Sequence, residues 1–126
     1  MPSGSPSRKQ QGYRDLIAWQ KAMDFARLTY RVTEAFPKDE TFGLRAQLRR
    51  AAVSVPSNIA EGHARYSKKD FIHFLRHSRG SLAEAETQIT LAADFRYCSM
   101  ENLRKVLDQS DEISRILAGL ISSLEE

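Results

Sequence analysis

GLRAQLRRAAVSVPSNIAEG, residues 43–62, carries two helical stripes of different character and a proline where neither stripe has room for one. Leu44, Leu48, Ala51, Ala52, Val55 and Ile59 recur at steps of three and four residues, which places them on one apolar face of a helix. Arg50, Ser54, Ser57, Asn58, Glu61 and Arg65 recur at similar steps on a second, polar face. A proline inside a helix removes one backbone hydrogen bond and crowds the carbonyl four residues back, here that of Ala52, at a cost of about 3 kcal/mol. The stretch is therefore either one helix kinked near Pro56, with Ser54, Ser57 or Asn58 answering the freed backbone groups, or two shorter helices.

The flanking sequence supplies partners for the apolar stripe. Residues 1–12 are rich in Ser, Pro, Gly and Gln without an apolar period and read as a disordered tail. A first helix is expected over about 15–36, capped by Asp15 and stopped by Pro37. Its inward face comprises Ala18, Trp19, Ala22, Met23, Phe25, Ala26, Thr29, Tyr30, Val32 and Phe36. The second helix is expected over about 41–61, capped by Asp39 or Thr41, with Gly62 as a left-handed terminator. A third is expected over about 67–95, opened by Ser67 with Asp70 three residues on, a capping-box spacing, and carrying Phe71, Phe74, Leu75, Ser78, Leu82, Ala85, Ile89 and Ala92 at core spacing. Within it Ser78, Gly80 and Ser81 thin the side chains, which suits a close helix crossing. The fourth is expected over about 99–124, with Leu103, Val106, Leu107, Ser110, Ile113, Leu117, Leu120 and Leu124 along one seam. Four amphipathic helices joined by short loops predict an all-α, up-down-up-down four-helix bundle spanning residues 13–126.

Length and composition agree with one domain: 126 residues, 41% apolar and 28% charged. No window approaches the roughly 18–20 consecutive apolar residues of a membrane span, and no apolar core of a signal peptide appears near residue 1, so a cytoplasmic location is expected. The single Cys98 has no internal disulfide partner. Net charge is only +3, but it is unevenly spread. Residues 43–80 hold eight basic and two acidic side chains, whereas residues 81–126 hold four and nine. Such polarity fits either an anion-facing side or two blocks that neutralise one another across helix contacts.

Particular strings carry a resemblance. DLIAWQKA (15–22), Phe36-Pro37, Gly43-Leu44, RAAVSVPSNIAEG (50–62), Phe74-Leu75 and RGSL (79–82) resemble the bacterial four-helix-bundle family encoded in intervening sequences of large-subunit ribosomal RNA genes. The likeness runs from residue 13 to about 122. That family is also similar to the accessory variability determinant of diversity-generating retroelements, a basic, barrel-like homopentamer that works with a reverse transcriptase and its RNA. The resemblance thus implies a homopentamer, an RNA partner and a protein partner such as a reverse transcriptase. It supplies no catalytic set.

The basic residues have a definite placement if the helices hold. Lys69, His73, Arg76 and His77 share one face of the third helix, with Lys68 and Arg79 beside it and Arg65 in the adjoining turn. Arg45, Arg49 and Arg50 lie further back along the second. Such cations suit nucleic-acid phosphates, read through shape and charge more than base identity. The polar stripe of Ser54, Ser57, Asn58 and Glu61 reads as a hydrogen-bonded network fixing helix or subunit register. His73 and His77 have the i, i+4 spacing of a metal pair, but no third ligand accompanies them, so no metal is expected. No phosphate-cradling glycine loop, nucleophile elbow or paired-cysteine site is present. The expected function is a non-enzymatic, cofactor-free oligomer binding structured nucleic acid, RNA first; a protein-interaction scaffold is the alternative.

Overall fold

The computed structural model describes residues 12–126. Its helices are α1 (Ile17–Thr33), α2 (Leu44–Ala64), α3 (Lys68–Asp94) and α4 (Met100–Glu125), with 3-10 turns at Gly12–Asp15 and Lys38–Glu40. No strand occurs among the described residues. Each helix packs on the next, and α4 closes against α1, while the diagonal pairs α1/α3 and α2/α4 make no close backbone approach. Short loops and this cyclic neighbour order make an antiparallel four-helix bundle. The predicted tail falls outside the described residues except for Gly12, which belongs instead to the first 3-10 turn and packs beside His63.

The stripes predicted from periodicity face the core. Phe25, Leu48, Val55, Ile59, Leu75, Leu82, Ile89, Val106, Ile113 and Leu117 are fully or almost fully buried. Tyr30 is an exception. Expected inside, it is 44% exposed, because the Arg49 guanidinium lies over its ring at 4.3 Å and holds it at the surface. Leu28 and Ile121 occupy the core in addition to the predicted set.

Helix ends differ from expectation in instructive ways. The N-cap of α1 is Leu16, not Asp15, since the preceding residues wind into a 3-10 turn that stacks Tyr13 edge-on against Trp19. That helix ends at Thr33, and Phe36 reaches the core from the turn that follows. Neither Asp39 nor Thr41 caps α2. Glu40 does so from outside, its Oε1 accepting from the Leu44 amide at 2.9 Å while its Oε2 accepts from the Tyr97 hydroxyl at 3.0 Å. This hydrogen bond pushes the Tyr97 phenol pKa up and ties the α1–α2 connection to the α3–α4 turn. Ser67 and Ser99 cap α3 and α4, accepting from the amides of Asp70 and Asn102.

Helix α2 runs unbroken through Pro56, which removes the two-helix alternative. Ser78 on α3 donates to the Val55 carbonyl at 2.8 Å, and the Asn58 side chain donates to the Ser54 carbonyl at 2.8 Å. Polar groups thus line the proline turn from both helices. Ser57, by contrast, faces solvent.

The helix does not terminate at Gly62. It continues to Ala64, and the left-handed residue of the turn is Tyr66 (φ 57°). Gly62 is instead buried against α3: a Cβ there would lie 2.6 Å from Phe74 Cβ. The close contact expected around Ser78, Gly80 and Ser81 is made by Ser78 and Ser81 without Gly80, and Gly62 adds a second point of close approach. Gly80 is exposed, with nothing within 4 Å of an added Cβ. Gly80→Ala is accordingly expected to stabilise the protein by about 0.5–1 kcal/mol, through helix propensity alone. Thermal denaturation followed by circular dichroism measures it. Helix α3 ends in a Schellman turn, the Tyr97 amide donating to the Ala92 carbonyl at 2.8 Å and the Arg96 amide to Ala93 at 2.9 Å, with Arg96 left-handed.

Candidate nucleic-acid interface

The predicted cations separate into groups along the bundle. Arg45 on α2 and Arg65 just past its end are 20 positions apart, or roughly 30 Å at the helical rise per residue. Because α3 runs back antiparallel, Lys68 and Lys69 lie at the Arg65 end, and Arg79 lies near mid-bundle beside the Ser78–Val55 contact.

At the α2–α3 turn, Lys68 and Lys69 occupy the first two positions of α3, both exposed. Neither they nor the exposed Arg79 form an ion pair among the described residues. Arg65 pairs with Glu61 at 2.9 Å and lies over the Phe74 ring at 5.1 Å. Arg76 pairs with Glu125 at 2.6 Å, closing the end of α4 onto α3. Both pairs are half exposed, so they hold side-chain direction more than they stabilise the fold. His73 and His77 stand on the outward face with their Nε2 atoms 3.1 Å apart. No third His, Cys, Asp or Glu joins them in a cluster among the described residues.

At the opposite end, Arg45 and Arg49 converge on Glu34, at 3.6 and 3.1 Å. Arg49 also donates to Thr33 Oγ1 at 2.8 Å and to the Tyr30 carbonyl at 3.1 Å, so its plane is fixed. Arg50 is exposed, has no ion pair among the described residues, and lies beside Glu84 in the cleft between α2 and α3.

The polar stripe splits in two. Ser54 and Asn58 face α3, where Ser54 Oγ lies 2.8 Å from Ser81 Oγ and the Asn58 amide donates to Ser54 Oγ at 2.8 Å. Ser57 and Glu61 are exposed. A helix–helix register clamp therefore comprises Ser54, Asn58, Ser78 and Ser81. Cys98 is half-buried, and burial pushes its thiol pKa up, away from the thiolate that nucleophilic chemistry needs.

Two features escaped the sequence. Phe42, at the end of the polar connection PKDETF, is 94% exposed beside the Arg45 and Arg49 cluster. Its position in a loop just ahead of a helix was the available signal. The pairings of Glu34 and Glu125 had none, since they join residues 11 to 49 positions apart.

Residues 14–119 match the family model described as 23S rRNA-intervening sequence protein. The bundle is also similar to a crystal structure of a protein with unknown function from the S23 ribosomal protein family of Bacteroides thetaiotaomicron VPI-5482. The two share 25% identity and a TM-score of 0.74, over 83% of this chain and 98% of that one. Among curated proteins, none matches. No described helix is long and apolar enough to cross a membrane.

Proposed function

Since the chain belongs to the 23S rRNA-intervening sequence protein family, we propose that it is a non-enzymatic RNA-binding bundle whose principal contact surface is the first half of α3. One observation carries this reading. Lys68 and Lys69 sit without an ion pair among the described residues in the first turn of α3, where the positive end of the helix dipole disfavours cations by about 0.3–1 kcal/mol each. Cations held against the dipole, without a carboxylate partner, detract from the fold and suit an anion outside it. Arg79 continues the Lys68 side of the helix, and the exposed His73 and His77 continue its Lys69 side. Phosphate contacts of this kind follow backbone shape.

Assembly as a homopentamer, which the resemblance implies, would repeat this surface around a ring, and a reverse transcriptase or other large protein is a further proposed partner. The scaffold alternative draws support from Leu91, Phe95 and Met100, which stay 43%, 57% and 66% exposed around the α3–α4 turn.

The test is binding of nuclease-treated protein to a labelled RNA hairpin across a salt series. The expected result is saturable binding, one oligomer per RNA, with affinity falling steeply as salt rises, by a logarithmic slope of about 0.7–0.9 per phosphate neutralised. Absence of binding at low salt, with a protein partner that survives nuclease treatment, would establish the scaffold instead.

A further inference from the structure

The Arg45 and Arg49 end of the bundle holds a groove of about 540 Å³, distinct from the α3 surface and lined by Tyr30, Phe42, Arg45, Arg49, Arg50 and Val53. Its volume is in the range of small-ligand sites, about 300–1,000 Å³. Three guanidinium groups border it and Glu34 is the carboxylate that two of them share, so the positive charge is in excess. Between the cations lies apolar surface that the fold leaves in water: Phe42 is 94%, Tyr30 44% and Val53 41% exposed. Arg49 is held over Tyr30, its Cζ 4.3 Å from the ring centroid, by Thr33, Glu34 and the Tyr30 carbonyl. The groove therefore offers an aromatic ring and a fixed guanidinium plane next to further positive charge.

We propose that this groove takes an unpaired nucleotide of the RNA, its base stacking on Phe42 and the Arg49 plane and its phosphate meeting Arg50 and Arg45. Aromatic rings and arginine planes bind bases that have left the stack, whereas bases within a duplex have both faces covered. Charge complementarity selects an anion, and the exposed ring selects one with a flat apolar face. A nucleotide has both. The inference rests on the RNA-binding reading above and adds to it a second contact of different chemistry: α3 holds phosphates of a helix, and the groove holds a loop or single-stranded base.

The test compares a labelled single-stranded decanucleotide RNA with a blunt hairpin of minimal loop, on wild-type protein, on Phe42→Ala and on a Lys68→Glu, Lys69→Glu, Arg79→Glu variant. Phe42→Ala is expected to weaken single-strand binding roughly 5- to 100-fold, the range for losing one stacked base, while changing hairpin affinity less than about twofold. Phe42→Trp should retain single-strand binding. Phe42 packs on little of the bundle, so an unchanged melting temperature accompanies the effect. Equal single-strand affinity of wild type and Phe42→Ala overturns the groove. So does displacement of the decanucleotide by polyglutamate at the same charge concentration. Loss of hairpin binding in the α3 variant with intact sensitivity to Phe42→Ala supports both surfaces. Single-strand binding without any hairpin binding keeps the groove and overturns the α3 reading. Failure of wild type to bind either RNA overturns both.

Discussion

Gly62→Ala should destabilise the protein by about 2 kcal/mol, the opposite sign from the same replacement at Gly80. In isolation, alanine in place of a helix-interior glycine contributes about 1 kcal/mol of stability. At Gly62 the new Cβ would stand 2.6 Å from Phe74 Cβ, 3.2 Å from Phe71 Cδ1 and 3.3 Å from Phe74 Cγ. The nearest of these is the stem of a side chain, and moving it means moving α3. Overpacking of this sort costs about 1–3 kcal/mol, and the upper value applies because α2 and α3 are also clamped together by Ser78 to Val55 and Ser54 to Ser81. The net loss should lower the melting temperature by roughly 8 °C. A rise on Gly62→Ala, matching that of Gly80→Ala, would mean that α2 and α3 do not approach closely there.

Reversing the charge of Lys68, Lys69 and Arg79 together should lower hairpin affinity roughly 100-fold or more at moderate salt, and reduce the salt slope by about one for each phosphate no longer neutralised. The fold should tolerate it. All three side chains are exposed and none has a carboxylate partner among the described residues. Glutamate at positions 68 and 69 would in fact complement the dipole of α3, so thermal stability should hold or rise slightly while binding falls. That divergence separates a binding surface from a structural one. Unchanged RNA affinity in a stable variant would remove α3 from the interface. Arg76 is left out of the set because its bridge to Glu125 joins α3 to α4, and its reversal would mix the two effects.

Both predictions turn on neighbours that the chain brings from a distance, and this divides what was legible in advance from what was not. Periodicity at three and four residues is a local property of the helix, so the core faces of α2, α3 and α4 could be read directly, from Leu48 and Ile59 to Leu75 and Leu117. Ser67 was legible for the same reason, since a cap acts on an amide three residues on. The basic segment 43–80 was visible as composition, and the exposure of Lys68, Lys69 and Arg79 follows from their places off the apolar stripe.

The meaning of each polar or small residue was not local. Gly62 looked like a terminator because glycine often ends helices, yet its neighbour is Phe74 on the next helix, and the close approach lets α2 run on to Ala64. Pro56 could have split the helix. It does not, with Ser78 from α3 donating to the adjacent Val55 carbonyl. Tyr30 had the spacing of a core residue but is held outside by Arg49, 19 positions away, and the same arginine is shared between Thr33 and Glu34. The four amphipathic helices and the inward face of each follow from residue order alone, because those depend on contacts within one or two turns. Which cations are paired, which glycine is needed and where an aromatic ring stands beside free positive charge emerged only once the helices were packed. Those depend on the register between helices, which is set by packing across the whole bundle.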